Sequence, residues 1–475
     1  MAEILIVGGG VVGMGLGMLL ARDAHTVTIL ERDPQVPPPD PDGAWNSWER
    51  RGVNQMRLPH LFLSRYHQIL QSELPEVATA IERDGAIRFN PMHDAPEAFT
   101  GGVRPDDDRF TMLSGRRVVV ERAVASVAEE TPGLTVRRGV AVAGLIGGAE
   151  AMVGVPHVTG VRTTEGEEIG ADLVVDATGR RSPLPDWLEA AGGRRPAEEL
   201  EDSGFVYYGR HFRSDDGSYP PIMGPLLQTY GSVSVLTLPA DNGTWGVAII
   251  ASSADRTMRA VLDVEAWTAT VHSLPLAAHW LDGEPLDDRV QVMGKIEDRH
   301  RRFVVGGEPV ATGVVAVADS WACTNPSLGR GITMAMMHTL ALRDLVRSDT
   351  KGDPVSFARA WDEATTATVE PWYRATVAFD RHRLAEIDGE IRGKSYRPDD
   401  PAWEMGQGLR YAAAQDPDCF RAFIGIVGML ETPQEAMARP GLFEKVVELG
   451  AAWREAPAFG PTRDELMAIV AGASP

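Results

Sequence analysis

The first residues with an evident chemical role are three glycines near the N-terminus. Gly8, Gly10 and Gly13 stand in the order Gly-Gly-Gly-Val-Val-Gly over residues 8–13, which matches the pattern G-x-G-x-x-G. In this pattern the first glycine permits a tight turn, and the second lets backbone N–H groups approach a pyrophosphate. The third lets a helix lie close to a sheet. The spacing therefore predicts that a dinucleotide binds in front of a helix N-terminus.

The residues around the glycines predict the elements that position them. Residues 3–7 form a short apolar run typical of a strand buried on both faces of a parallel sheet. Residues 14–22 favour a closely packed helix, and residues 25–30 favour a second strand. That strand ends on Glu31, which can accept hydrogen bonds from a ribose hydroxyl, and on Arg32, a neighbouring candidate for a cofactor contact. Because all parts occur in order within one unit, the prediction is stronger than one from a glycine motif alone.

Composition excludes several other classes of protein. The chain has 475 residues, enough for two or three domains, and a formal net charge of −21. That charge argues against nucleic acid or an anionic membrane as the main partner. Residues 5–21 are apolar enough to suggest a signal peptide or an anchor, but no basic segment precedes them and glycines interrupt them. The two cysteines, Cys323 and Cys419, predict no disulfide framework and indicate a reducing, cytoplasmic location.

Two later segments repeat the combination of a buried strand and a tight turn. The first is a strand at residues 173–175 that leads into Ala177-Thr178-Gly179. The second is an apolar run at residues 313–318 that ends on Asp319. A loop containing Gly329 and Gly331 then precedes a predicted helix over residues 332–346. This arrangement places a second helix N-terminus against a ligand.

The remaining patterns predict the other layers of the fold. Alternation of apolar and polar residues over 205–250 predicts an antiparallel sheet in a separate layer. We also expect a loop over residues 34–43, helices beginning near Ser114 and over residues 264–280, and a helical region after Ser356. The fold class is therefore α/β. It comprises a Rossmann-like domain (1–75, 109–185 and 295–350), a mixed antiparallel-sheet substrate domain (76–108 and 186–294), and a C-terminal helical domain (351–475).

Three of these segments, in this order, resemble the p-hydroxybenzoate hydroxylase-type superfamily of FAD-dependent monooxygenases. They are the dinucleotide fingerprint, the strand ending Asp-Ala-Thr-Gly, and the late strand-Asp-loop-Gly-x-Gly, which together span about residues 1–350. More narrowly, Arg50-Arg51-Gly52-Val53-Asn54-Gln55 and His60 resemble the bacterial flavin epoxidases of polyether biosynthesis. The resemblance implies FAD as the cofactor.

Carried over by position, the resemblance assigns further contacts. Arg50 would lie near the FAD phosphates and Arg117 would contact FAD at the start of a long helix. Asp319 would bind the ribityl chain. The backbone from Leu328 to Gly331, including Gly329, would face the N1/O2 edge of the flavin, where the positive end of a helix stabilises the anionic reduced form. His60 is a candidate catalytic group, with a purely structural histidine as the alternative, and no metal site is expected.

The resemblance also implies an activity and leaves alternatives open. We expect one oxygen atom of O₂ to be inserted into an organic small molecule, by hydroxylation or epoxidation through a flavin C4a-hydroperoxide, in bacterial secondary metabolism. The alternatives are an FAD-dependent reductase or dehydrogenase of the geranylgeranyl-reductase type, and a scaffold without activity. Where the hydroxylases have Ala-Asp-Gly, this chain has Ala177-Thr178-Gly179, and Ala318 stands where the family most often has glycine. The electron source is therefore either NAD(P)H or a partner flavin reductase.

Overall fold

The computed structural model of the chain describes residues 1–348, 352–456 and 459–473. The helices are α1 (Val11–Arg22), α2 (Pro41–Ser47), α3 (Ser64–Glu73), α4 (Pro75–Arg83), α5 (Pro91–Asp94), α6 (Glu97–Thr100), α7 (Arg117–Glu129), α8 (Leu184–Ala190), α9 (Val264–His272), α10 (Gly331–Arg347), α11 (Pro354–Thr368), α12 (Glu370–Ile391), α13 (Pro401–Ala412), α14 (Pro417–Val427), α15 (Pro433–Met437), α16 (Leu442–Gly450) and α17 (Arg463–Gly472).

The strands begin two residues from the N-terminus and are spread over several sheets. They are β1 (Glu3–Val7), β2 (Thr26–Glu31), β3 (Leu61–Phe62), β4 (Ile87–Phe89), β5 (Met112–Ser114), β6 (Leu134–Arg138), β7 (Val142–Gly147), β8 (Val158–Thr163), β9 (Glu168–Gly170), β10 (Leu173–Asp176), β11 (Ala197–Asp202), β12 (Phe205–Arg213), β13 (Leu227–Tyr230), β14 (Val233–Pro239), β15 (Thr244–Ser252), β16 (Glu284–Pro285), β17 (Gln291–Met293), β18 (Glu297–Arg302), β19 (Val304–Val305), β20 (Glu308–Pro309), β21 (Val314–Ala316) and β22 (Ala322–Cys323).

A five-stranded parallel sheet, ordered β21-β10-β1-β2-β6, forms the centre of the first layer. Its strands are apolar on both faces because both faces are covered, one by helices and the other by a cluster that includes Val158 and Val161 of β8. Ile4 and Ile6 pack toward α1 and α7, whereas Leu5 and Val7 belong to a second core cluster on the opposite face. This double burial explains the continuous apolar runs in the sequence and confirms the predicted parallel sheet.

The predicted antiparallel sheet is also confirmed. Its order is β13-β14-β15-β12-β16, with β17 pairing to β12. On one face, Phe212 of β12 packs with Trp267 of α9 in a core that also receives Leu466 from α17. The other face carries Phe205 and Tyr207 in a smaller cluster that includes residues from the first layer and from α12. The C-terminal helices therefore cover parts of both faces of this sheet.

Three of the predicted elements have different boundaries in the structure. The long helix α7 begins at Arg117 rather than near Ser114, because residues 112–114 pair as β5 with β3 and β4. Helix α9 ends at His272, three residues before Pro275, whose ring cannot continue a helix. The predicted loop over 34–43 ends in helix α2, where Asp40 accepts a hydrogen bond from the Gly43 N–H at 2.8 Å as the N-cap.

The described residues contain neither a candidate membrane span nor a candidate metal cluster. No helix in residues 1–348, 352–456 or 459–473 combines the length and apolar character needed to cross a membrane. In the same ranges, no three side chains of His, Cys, Asp or Glu are grouped so as to hold a metal ion.

Candidate functional site

The carboxyl ends of three neighbouring parallel strands meet at one edge of the central sheet. Val7 at the end of β1 lies opposite Asp176 at the end of β10, and Asp176 lies opposite Ala316 at the end of β21. The three turns singled out in the sequence start at these residues. The register of the sheet therefore brings together motifs that are about 310 residues apart in the chain, at the edge where ligands bind in open α/β sheets.

The glycine-rich turn after β1 leaves open space where a pyrophosphate is expected. Gly8 has φ +112°, and a Cβ added to it would lie 2.5 Å from the Ala177 carbonyl oxygen. A Cβ on Gly13 would lie 2.0 Å from the Gly8 carbonyl oxygen, whereas one on Gly10 would meet nothing within 4 Å. Gly8 and Gly13 are thus required by close packing, and Gly10 borders the space in front of the α1 N-terminus. The N-cap residue of α1, Gly10, has no side chain to cap the helix, and no other described side chain is hydrogen-bonded there, so the N–H groups are available to an anion.

Glu31 and Arg50 hold the outer side of this turn. The buried Glu31 carboxylate accepts hydrogen bonds from the Gly9 N–H (2.9 Å), the Asp33 N–H (2.8 Å) and Arg50 Nη2 (3.1 Å). Burial lowers the pKa of Arg50, but Glu121, Glu31 and Asp33 outweigh burial and raise it overall. Both predicted residues therefore lie at the turn, where they pair with each other and Arg50 also pairs with Asp33 and Glu121.

Arg32 and Arg117 have different surroundings. Arg32 is exposed, and in the described residues it forms no ion pair. Arg117 begins α7 and donates to Glu121 Oε1 from Nε (2.9 Å) and Nη2 (2.7 Å). Its positive charge also acts on the Asp319 carboxylate and on His60. Arg117 therefore acts on two other predicted site residues, Asp319 and His60, whereas Arg32 is exposed just after the end of β2.

Asp319 follows β21 through a strained turn. Ala318 has φ +52°, a left-handed conformation that costs a non-glycine residue about 1–2 kcal/mol. Its N–H donates to His338 Nδ1 at 3.0 Å. In the described ranges, no side chain or backbone group is hydrogen-bonded to the Asp319 carboxylate. Burial raises its pKa, although Arg117 and Arg180 oppose that rise. A ligand hydroxyl would supply the missing partner.

The loop before α10 forms the third part of the site. Pro326–Leu328 make a 3-10 turn, Gly329 has φ +65°, and α10 then starts at Gly331. No side chain caps this helix, and a Cβ on Gly331 would meet nothing within 4 Å. As at Gly10, free N–H groups at the helix N-terminus lie beside open space, an arrangement suited to an anionic ligand edge.

His60 lies between the sheet edge and the antiparallel sheet. Its Nδ1 is 2.8 Å from the Leu58 carbonyl oxygen, so Nδ1 must carry the proton and Nε2 is the acceptor. Burial, reinforced by the charge of Arg117, lowers the pKa of His60 to about 3. A neutral imidazole whose Nε2 has no partner in the described residues can accept a hydrogen bond from a ligand.

A second histidine, His211 of β12, was not predicted. It is 1% exposed, and neither ring nitrogen has a hydrogen-bond partner in the described residues. Its ring lies edge-on to Trp45 at 4.8 Å, and burial together with the charges of Arg116 and His60 lowers its pKa to about 3. Buried polar groups are normally satisfied, so His211 indicates a missing ligand or water. The available signal was alternation along β12, which places it on the same face as Tyr207.

Comparison with known proteins agrees with this fold. No protein-family profile matches the sequence. Protein Rv3254 of Mycobacterium tuberculosis (strain ATCC 25618 / H37Rv) is 26% identical over 421 residues, which cover 80% of this chain and 81% of that protein.

Among solved structures, PqsL, a probable FAD-dependent monooxygenase from Pseudomonas aeruginosa, aligns with a TM-score of 0.58 and 14% identity over 82% of this chain and 99% of its own. The Diels-Alderase PyrE3 of the pyrroindomycin biosynthetic pathway gives 0.60 and 16%, over 90% and 81%. A 2-methyl-3-hydroxypyridine-5-carboxylic acid oxygenase gives 0.54 and 15%, over 82% and 92%. The chain therefore has the fold found in FAD-dependent monooxygenases.

Proposed function

We propose that this protein is an FAD-dependent monooxygenase that transfers one oxygen atom from O₂ to an organic small molecule. The observation that carries the proposal is the meeting, at one sheet edge, of two uncapped helix N-termini and the partner-free carboxylate of Asp319. These groups fit FAD: Gly8, Gly10 and Gly13 would hold the pyrophosphate, Glu31 the adenosine ribose, and Asp319 the ribityl hydroxyls. When bound there, FAD would supply the redox chemistry and the activation of O₂.

The chain's own residues would bind and orient the substrate beside the flavin. The segment Leu58-Pro59-His60 packs against Gly209 and Gly246 of the antiparallel sheet; a Cβ on Gly246 would lie 2.6 Å from Pro59. His60 and His211 thus face a shared, largely apolar boundary between the two layers. As neutral imidazoles they would form hydrogen bonds with a substrate hydroxyl or carbonyl, while the sheet keeps bulk water out.

The substrate, the cellular location and the electron source form part of the same proposal. The segment from Arg50 to Gln55, with His60, resembles flavin epoxidases, whereas about residues 1–350 resemble the hydroxylase-type superfamily. PqsL has been solved with 2-aminobenzoylacetate, a small organic acid. We infer a soluble organic substrate processed in bacterial secondary metabolism, and a cytoplasmic location consistent with two buried free cysteines. The Ala177-Thr178-Gly179 turn lacks the acid of the hydroxylases, so we expect reduction by NADPH to be slow without substrate, or a flavin reductase to take its place.

The deciding experiment measures whether an oxygen atom from O₂ enters the product. The FAD-loaded protein would be incubated under ¹⁸O₂ with a panel of aromatic acids and polyenes, with NADPH in one arm and a generic flavin reductase in the other. Mass spectrometry of a product carrying one ¹⁸O atom supports the proposal. A product with a changed number of hydrogens and no ¹⁸O would instead support the reductase or dehydrogenase.

The two arms also identify the electron source. We expect anaerobic stopped-flow traces to show slow bleaching of the flavin by NADPH alone, with faster bleaching when substrate or the reductase is added. Rapid, saturable bleaching by NADPH alone would contradict our interpretation of the Ala177-Thr178-Gly179 turn.

A further inference from the structure

The C-terminal helix α12 presents a stripe of three residues to the loop that precedes α10. Trp372, Thr376 and Asp380 are four residues apart and so lie on one face of the helix. The Arg330 guanidinium lies 5.4 Å from the centre of the Trp372 ring, and its Nη1 donates to Thr376 Oγ1 at 3.2 Å. Asp380 accepts a hydrogen bond from Ser327 at 2.6 Å. The stripe therefore contacts both the 3-10 turn, through Ser327, and the N-cap residue of α10, Arg330.

This contact region is almost completely buried and contains several unpaired polar atoms. Asp380 is 2% exposed and its Oδ2 has no hydrogen-bond partner in the described residues; the same holds for Nε of Arg330. Arg330 forms no ion pair within those residues. A buried cation and a buried carboxyl thus lie on either side of one short loop without forming a salt bridge. Ionisation of Asp380 therefore adds one negative charge to the region, and protonation removes it.

The groups that face Asp380 come from three other elements. Asp298 of β18 accepts a hydrogen bond from the Asn325 N–H at 2.7 Å, and Tyr207 of β12 donates to Asn325 Oδ1 at 2.8 Å. Of the described positive charges, Arg330 acts on Asp380 and Arg381 acts on Asp298. Burial raises the pKa of Asp380 to about 7. The negative charge of Asp298 adds to the rise, and Ser327, the Asn325 side chain and Arg330 oppose it. Burial likewise raises the pKa of Asp298 to about 6.

We propose that Asp380 is a positioning residue that sets the charge at the N-terminus of α10, leaving Arg330 as an uncompensated cation when it is protonated and neutralising it when it is ionised. The proposal rests on the assignment of FAD to this site, where the α10 N-terminus would face the flavin edge that becomes anionic on reduction. A protonated Asp380 would favour the reduced flavin, and an ionised Asp380 would disfavour it. The C-terminal helices would thereby adjust the redox balance of the site with pH.

The test is the pH dependence of the flavin reduction potential in the holoenzyme between pH 5.5 and 9. In the wild type we expect a steeper fall of the potential above pH 7 than free FAD shows. The additional fall corresponds to about a tenfold loss of preference for reduced over oxidised FAD, which is the effect of one pKa unit of coupling between Asp380 and the flavin. Asp380→Asn should remove the extra slope and keep the higher potential at pH 8. The matched control is Asp388→Asn on the same helix, where Asp388 is 3.6 Å from Arg392 at the surface.

A second variant keeps the test decisive if Asp380→Asn folds poorly. Ser327→Ala removes a donor that favours the ionised carboxyl, so the change of slope should move to higher pH. An unchanged pH profile in Ser327→Ala and a wild-type profile without the extra slope would each overturn the inference. Failure of the wild type to bind FAD would instead overturn the proposed function. In that case the apoprotein still reports on Asp380, because Asp380→Asn should make thermal stability fall less between pH 5 and pH 8.

Discussion

The most informative perturbation is a pair of identical substitutions in the glycine-rich turn. Gly10→Ala adds a methyl group that meets no protein atom within 4 Å, and the φ of −82° and ψ of 179° at Gly10 suit alanine. Gly13→Ala adds a methyl group 2.0 Å from the Gly8 carbonyl oxygen, so the backbone must move. The first change therefore affects only a ligand in the open space, and the second affects the fold.

The magnitudes follow from these contacts. For Gly10→Ala we expect a change of no more than ~1 kcal/mol in the free energy of unfolding, the usual effect of alanine at an N-cap. The methyl group should break one charge-assisted hydrogen bond to phosphate, worth ~1.5–3 kcal/mol, and lower FAD affinity about ten- to a hundredfold. For Gly13→Ala we expect a loss of ~1–3 kcal/mol in unfolding free energy, as for overpacked cores.

The assay combines FAD titration by fluorescence quenching with urea unfolding of the apoproteins. Gly406→Ala, at an exposed helical position where the methyl group also meets nothing within 4 Å, is the control for the substitution itself. It should leave FAD affinity unchanged. Wild-type FAD affinity in Gly10→Ala, with folding intact, would refute the assignment of the pyrophosphate to this turn.

Three further predictions address other parts of the site. Asp319→Asn should weaken FAD binding about tenfold, through loss of a hydrogen bond to a charged group; an unchanged dissociation constant in the same titration would contradict the role of this carboxylate. Ala318→Gly should raise the free energy of unfolding by ~1 kcal/mol because φ is +52°, and urea curves that show destabilisation would contradict it. Because the pKa of His211 is lowered to about 3, its contribution to stability is present above pH 6.5 and lost as the pH falls toward 3. His211→Phe should flatten the acid limb of a melting-temperature profile, and an acid limb as steep as in the wild type would show that His211 is not the responsible group.

Much of the fold could be predicted because its signals are local. The apolar runs of β1, β10 and β21 and the glycines after β1 specify strands and turns within a few residues, and the parallel sheet follows from them. The position of Ala318 in a glycine-favouring turn was visible only as a departure from a family pattern. The strain at Ala318 became visible only from its backbone angles.

The site features that escaped prediction depend on long-range packing. His211 becomes notable only when the antiparallel sheet is placed over Trp45 and His60, about 150 residues earlier in the chain. Asp380 reaches Ser327 from a helix in which it is one of many charged residues, so no local pattern distinguishes it. The predicted domain boundaries and the roles of the individual site residues stay predictions.

The measurement that tests the central claim most directly is the visible absorption spectrum of the purified protein, taken before and after acid precipitation. The geometry of the three turns predicts a yellow protein with one FAD per chain, released intact into the supernatant by acid because no covalent attachment is expected. A colourless protein that stays colourless after incubation with FAD, while remaining folded by circular dichroism, would contradict the account.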